Sequence, residues 1–170
     1  QNSGLLRANN SEVASRLMFV NGTTVTDLGG STLVDGPFSS LEVSGGSRAE
    51  LGSFSLTNGG TGFVSGTNSL LTADAWIGQN SRLSVLSSAQ MAGAVNADGQ
   101  LRVRDSSVVS APVTINATGQ FLADSGTATL NGNVSNAGKV SLAGNSVTVN
   151  GTGLITNQGL IEGGAPSDNN

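Results

Sequence analysis

The sequence predicts an all-β chain wound into a parallel β-helix, a solenoid in which each turn of the chain stacks on the one before. Three observations carry this expectation. A short motif returns at near-constant spacing, apolar residues come in short clusters between turn formers, and no window sets apolar residues at 3.6-residue spacing over three turns. The motif is apolar, Asn, small, Gly, polar, apolar. It reads Val95-Asn96-Ala97-Asp98-Gly99-Gln100-Leu101, then Ile115-Asn116-Ala117-Thr118-Gly119-Gln120-Phe121, then Val134-Ser135-Asn136-Ala137-Gly138-Lys139-Val140, then Ile155-Thr156-Asn157-Gln158-Gly159-Leu160. Its asparagines and closing apolar residues recur every 19 to 21 residues. A repeat this short cannot bury an apolar face alone, so each must stack on its neighbours.

Taken in order, residues 1–57 carry the repeat in blurred form. Leu5-Leu6, Thr23 to Thr26, Ser31 to Val34, Leu41 to Val43 and Ala49 to Leu51 are short strand-like pieces, and Leu17-Met18-Phe19-Val20 is a buried strand. They are divided by Asn21-Gly22, Gly29-Gly30, Asp35-Gly36-Pro37 and Gly45-Gly46, residues that accept the backbone conformations of tight turns. Residues 58–164 hold the regular repeats, and residues 165–170 form a tail or truncated flank. Alternation such as Gln100-Leu101-Arg102-Val103-Arg104 sends side chains in and out by turns. Clusters such as Val108-Val109 and Val113-Thr114-Ile115 add two further strands to each repeat, which gives three short strands per coil. The chain divides into about nine coils of roughly 19 to 20 residues and a rod on the order of 43 Å long at the spacing of parallel strands.

Asn58, Asn80, Asn96, Asn116, Asn136 and Asn157 are expected to align as a column, bonding from coil to coil as a structural ladder. Its first steps, 22 and 16 residues, are irregular. The stretch Thr67 to Gln79 exceeds a normal turn between Phe63 and Leu83. It is the expected excursion from the helix and the candidate binding loop, with Leu70, Asp74 and Trp76 as its candidate contact residues, because loops on a rigid scaffold are where binding concentrates.

Composition excludes more than it assigns. There is no Cys, hence no disulfide or thiolate chemistry, a composition suited to a large protein exported unfolded. There is no His, which removes the commonest general base and zinc ligand and excludes a Ser-His-Asp hydrolase within this chain. Net charge is −4, and apart from Arg102 and Arg104 the seven basic residues are scattered, so the field needed for nucleic acid or an anionic membrane is lacking. No apolar run is long enough to insert in a membrane, and the chain begins and ends mid-pattern, as a piece of something longer would.

The repeats from Val134 to Asn145 and from Leu154 to Gly164 resemble those of filamentous haemagglutinin-type exoproteins, secreted by the two-partner route in Gram-negative bacteria, and are similar to autotransporter passenger stems. The resemblance covers residues 58 to 164 well and residues 1 to 57 loosely. It implies, together with the repeat length, a right-handed helix. It also implies a secreted or cell-surface rod serving adhesion or contact-dependent toxin delivery, an outer-membrane transporter as partner during export, and a receptor or glycan on a host or neighbouring cell. The motif consists of turn and core residues, so it carries over no catalytic residue, cofactor or metal. The fragment is expected to be a monomer without enzymatic activity.

Other readings have thinner support. A β-helical polysaccharide lyase or glycoside hydrolase would need clustered carboxylates, for which Glu42 with Glu50, or Asp105 with Asp124, are the candidates. Solvated turn residues explain the same four. Gly59-Gly60-Thr61-Gly62 lacks the Asp of a calcium-binding β-roll repeat, and Gly151-Thr152-Gly153 lacks the strand-to-helix setting of a phosphate loop. A left-handed helix finds hexad-like spacing at Leu83, Ala89, Val95, Leu101 and Val113 that breaks at Phe121. A phage tail-fibre or tailspike segment is a further alternative, distinguished by trimerisation. Trp76, the only Trp, could stack on a sugar or fill a corner.

Overall fold

The computed structural model describes residues 5–9, 14–26, 30–143 and 148–164. Gly4, Gly29, residues 144–147 and the 165–170 tail, which entered the sequence reading, lie outside them. Every described element is a strand, and every strand pair is parallel. The chain is an all-β parallel solenoid.

One sheet stacks eight strands in chain order: β2 (Ser15–Phe19), β5 (Ser39–Ser44), β7 (Thr61–Ser65), β9 (Arg82–Leu86), β12 (Gln100–Val103), β15 (Gln120–Ala123), β18 (Lys139–Ala143) and β21 (Leu160–Gly164). The other sheet holds two ribbons side by side. The first ribbon runs from β3 (Thr24–Thr26) through β6 (Arg48–Thr57) and β8 (Leu70–Ile77) to β10 (Gln90–Ala92), β13 (Ser107–Ser110), β16 (Thr127–Leu130) and β19 (Thr148–Gly151). The second runs from β1 (Leu5–Asn9) and β4 (Ser31–Asp35) through the later halves of β6 and β8 to β11 (Val95–Ala97), β14 (Val113–Ile115), β17 (Val134–Asn136) and β20 (Ile155–Asn157).

The eight-stranded sheet counts the turns. Leu17, Leu41, Gly62, Leu83, Leu101, Phe121, Val140 and Ile161 lie in register, in steps of 24, 21, 21, 18, 20, 19 and 21 residues. The described chain therefore makes about seven turns where the motif suggested nine, because the register runs only from Leu17 to Ile161 and its first step is 24 residues. Seven steps give a stack of roughly 34 Å. From β9 onward each turn adds one strand to this sheet and two to the other. β6 and β8 depart from the expected three short strands, since each runs unbroken through both ribbons, β6 with a register shift between Glu50 and Ser53.

One corner distinguishes the later, divided coils from the unbroken strands, β6 passing it at Leu51-Gly52 with its register shift. β8 passes it at Ala73, whereas the later coils place Gly93, Ala111-Pro112, Gly132 and Gly153 there. A Cβ on Gly93 would lie 2.1 Å from the Ala73 carbonyl oxygen, and one on Gly153 2.0 Å from that of Gly132. At Gly93, Gly132 and Gly153 the backbone of one coil presses on the backbone of the coil before it, an approach that a side chain at those positions would displace.

Strand alternation puts the core inside. Val34, Leu56, Ile77, Ala97 and Ile115 form one inward column, Val43, Val64, Val85, Val103 and Ala123 another, and Ala49, Leu71, Met91, Val109 and Leu130 a third, all buried. Small and large residues compensate: at Gly62 a Cβ would stand 2.8 Å from Leu83 Cδ1 and 3.4 Å from Leu56 Cδ1 and Phe54 Cζ, so those larger side chains, Leu83 first, fill the space that Gly62 leaves. Outward positions are mostly polar. The winding gathers Arg16, Arg82 and Lys139, dispersed in sequence, into one outward column with Thr61, Gln100 and Gln120, and sets Arg102 in the column beside it. Asp124 pairs with Arg102 and Glu162 with Lys139 at 2.7 Å, so the column is not a uniformly positive surface.

Candidate binding groove

The outward positions of the second ribbon form the column Leu33, Ser55, Trp76, Asn96, Thr114, Ser135 and Thr156, headed by Arg7. Trp76 is the one large ring in it, and it is 43% exposed. Two contacts fix the ring. Its Nε1–H donates to Asp98 Oδ2 at 3.0 Å, one coil away. Its six-membered edge lies over Gly78, where a Cβ would stand 3.3 Å from Cη2 and 3.0 Å from the Leu56 carbonyl oxygen. Gly78 leaves room for the six-membered edge of the ring, and Asp98 holds its Nε1–H.

Asp98 is itself held. The Asn116 amide donates to its Oδ1 at 3.0 Å, and the Thr118 hydroxyl donates to its main-chain oxygen at 3.1 Å. Two coils to the other side of Trp76, Asp35 accepts from the Thr57 hydroxyl and the Asn58 amide, both at 2.7 Å, and from Arg7 Nη2 at 3.3 Å. Those donors, with Thr57 and Asn58 the strongest and Arg7 weaker, hold its carboxyl below the ordinary aspartate value. Between Asp35 and Asp98 lies a groove of about 640 Å³, floored by Trp76, Thr57 and Gly78 and flanked by the Asn58 and Gln79-Asn80 turns. A second groove of about 530 Å³, which includes Arg82, Gln100 and Gln120, shares Gln79, Asn80 and Asp98 with it. The Gln79-Asn80 turn is the ridge between them.

The structure redistributes the residues singled out by sequence. Thr67 to Gln79 is no excursion: after a turn through Gly66 to Ser69 it is strand β8, paired on both sides with β6 and with β10 and β11. Leu70 lies on the first ribbon, away from the groove. Asp74 faces out and accepts the Ala94 N–H at 2.9 Å. Of the three, Trp76 alone lines the groove.

The six asparagines do not form one column. Asn58 and Asn80 occupy left-handed turn positions, with φ of 51° and 63°. Asn96 faces solvent in the middle of β11, Asn116 follows β14 and bonds Asp98, and Asn136 and Asn157 end β17 and β20 in register. Only that last pair makes the expected ladder bond, Asn136 Nδ2 donating to Asn157 Oδ1 at 2.6 Å. The slip comes from turn length. Four residues separate Ile115 from Gly119, but two separate Ala97 from Gly99 and Asn136 from Gly138. The repeating residue in register is the glycine before the strand: Cβ atoms at Gly99, Gly119, Gly138 and Gly159 would stand 2.1 to 2.3 Å from a carbonyl oxygen of the previous coil.

The carboxylate pairs weighed for catalysis are placed as follows. Glu42 lies on the eight-stranded sheet and Glu50 on the other, so they do not meet. Asp105 and Asp124 do come near each other, but Arg102 bonds Asp124 and Arg104 Nε lies 3.1 Å from Asp105, while the Ser125 hydroxyl also donates to Asp105. Among the described residues no group of three or more Asp or Glu side chains is placed to hold a metal ion, and no helix is long and apolar enough to cross a membrane. Asp35 and Asp98, which sequence reasoning took as turn punctuation, are the groove's anchors. The available signal was the 22-residue interval between Trp76 and Asp98, one coil.

Compared with known proteins, the chain matches no family model, and no curated protein or solved structure matches it.

Proposed function

We propose that this chain is a structural and adhesive segment of a large secreted or cell-surface bacterial exoprotein, a right-handed β-helical rod of the filamentous haemagglutinin kind exported by two-partner secretion. The observation that carries the reading is the unbroken parallel ladder from the first described strand to the last, with apolar columns inside and polar columns outside. Such a stack resists bending and compression, because every inner coil is hydrogen-bonded to both neighbours along its strands. Its outward residues therefore hold fixed positions at strand spacing, which suits display to a receptor or glycan on another cell. Its role is presentation, not turnover. The reading is tested by antibody labelling of the producing cells. Signal on intact cells or in the medium is expected. Signal that appears only after permeabilisation would overturn it.

A further inference from the structure

We propose that the groove between Asp35 and Asp98 is a carbohydrate-binding site for a neutral glycan, with Trp76 as its stacking platform. This rests on the display reading above and names the site and ligand class that would serve it. A pyranose ring has an apolar C–H face and a rim of hydroxyls, so its recognition takes a flat aromatic surface surrounded by hydrogen-bonding side chains. The groove supplies both. Trp76 is nearly half exposed, with Ser55 and Asn96 on either side of it in its outward column, and a ring in that position is not filling the core. It is already held in place by the Nε1–H bond to Asp98 and by the contact of its six-membered edge with Gly78, so binding orders little that is not ordered beforehand. Around it stand Asn58, Gln79 and Asn80, whose amides both donate and accept, and the carboxylates of Asp35 and Asp98. The volume lies within the range of small-ligand clefts.

Charge selects the class of sugar. The groove lining carries two carboxylates and no basic side chain, and Arg7 reaches only the rim, where it is bonded to Asp35. Carboxylated or sulfated glycans are repelled there, whereas neutral hydroxyls find acceptors. The lining comes from four successive coils, those of Asp35, Thr57, Trp76 and Asp98, so an oligosaccharide can run across them.

Trp76 is the only Trp, and the chain has no Tyr, so intrinsic fluorescence reports this site alone. The test titrates the purified chain with neutral hexasaccharides of glucose, mannose, galactose and N-acetylglucosamine, and with heparin and alginate oligomers for contrast. A saturable change in Trp76 emission with at least one neutral oligomer and none with the acidic ones is expected. Calorimetry with that oligomer should show binding weakened roughly tenfold or more by Trp76→Ala and by Asp98→Asn. Asn80→Gly, which keeps the turn conformation, should weaken it less, and Lys139→Gln, remote from the groove, should leave it unchanged. Circular dichroism of each variant confirms the fold. Silence toward every neutral oligomer, preference for an acidic one, or undiminished binding by folded Trp76→Ala would each overturn the assignment. A negative titration alongside surface labelling of intact cells removes the site and leaves the rod.

Discussion

Leu101 and Ile161 occupy the same inward column of the eight-stranded sheet, three coils apart, yet Leu101 is fully buried and Ile161 is 48% exposed. The second ribbon repeats the contrast: Val95, Val113 and Val134 are buried, while Ile155, next in the same column, is 59% exposed. Residue type and strand position barely change along either column. What changes is the number of neighbours, two for a middle coil and one for the last described coil. In this molecule a coil has no core of its own, and burial is a property of the stack.

The contrast is sharpest for the core side chains. Leu101→Ala removes a side chain packed between Leu83 and Phe121 and leaves a cavity closed on both sides, a change that costs about 3 kcal/mol. Ile161→Ala removes a side chain that water already reaches and should cost about 1 kcal/mol. Urea-unfolding midpoints of the two variants measure the difference. Equal losses would mean that the last coil is as tightly packed as the middle ones, and the account of burial by stacking would fail.

Glycines give the same comparison with opposite signs. At Gly119 an added Cβ would sit 2.1 Å from the Ala97 carbonyl oxygen, a backbone atom that cannot turn aside. Gly119→Ala should therefore cost about 2 kcal/mol through overpacking. At Gly163 nothing lies within 4 Å, so Gly163→Ala should stabilise by about 0.5 kcal/mol by restricting the unfolded chain. Thermal unfolding of the pair reads both shifts, and a loss in both would place a second coil's backbone against Gly163.

The architecture was legible because stacking writes its period into the chain: apolar residues must recur where coils superimpose, and Leu83, Leu101, Phe121 and Val140 do so. The groove was not legible in the same way. Its parts, Asp35, Asn58, Trp76, Asn80 and Asp98, come from successive coils whose turns differ in length, so their juxtaposition depends on register that motif spacing does not encode. Asparagine misled for a related reason. The motif was anchored on the residue that stood out chemically, whereas the constraint from one coil on the next falls on the glycine, the residue without a side chain. Trp76 stands out in the sequence as the only Trp, but its placement on a strand follows from the pairing of β8 with β6, β10 and β11, which the length of the stretch between Phe63 and Leu83 does not encode.

The smallest expected effect concerns two carboxylates that differ in the same respect. Asp35 accepts donors from both flanking coils, Thr57 and Asn58 on one side and Arg7 on the other, while Glu162 accepts only from Lys139 and Ser141 of the coil before it. Both carboxyls are held below their ordinary values, chiefly by the Thr57 hydrogen bond at Asp35 and by the Lys139 hydrogen bond at Glu162. For a group whose value is depressed on folding, the folded state binds fewer protons than the unfolded one. Its contribution is thus complete well above the unfolded value, about 4 for either residue, and is lost as pH falls through the folded value. Stability of the chain should decline between about pH 5 and pH 3. Asp35→Asn should flatten that decline measurably, whereas Glu162→Gln should alter it little, because an exposed pair with one flanking coil is screened by water. Denaturant midpoints at pH 6, 5, 4 and 3 decide between them. If Asp35→Asn follows the unmutated chain in parallel while Glu162→Gln flattens the curve, partners from two coils confer no advantage over partners from one, and the comparison fails at the surface even where it holds in the core.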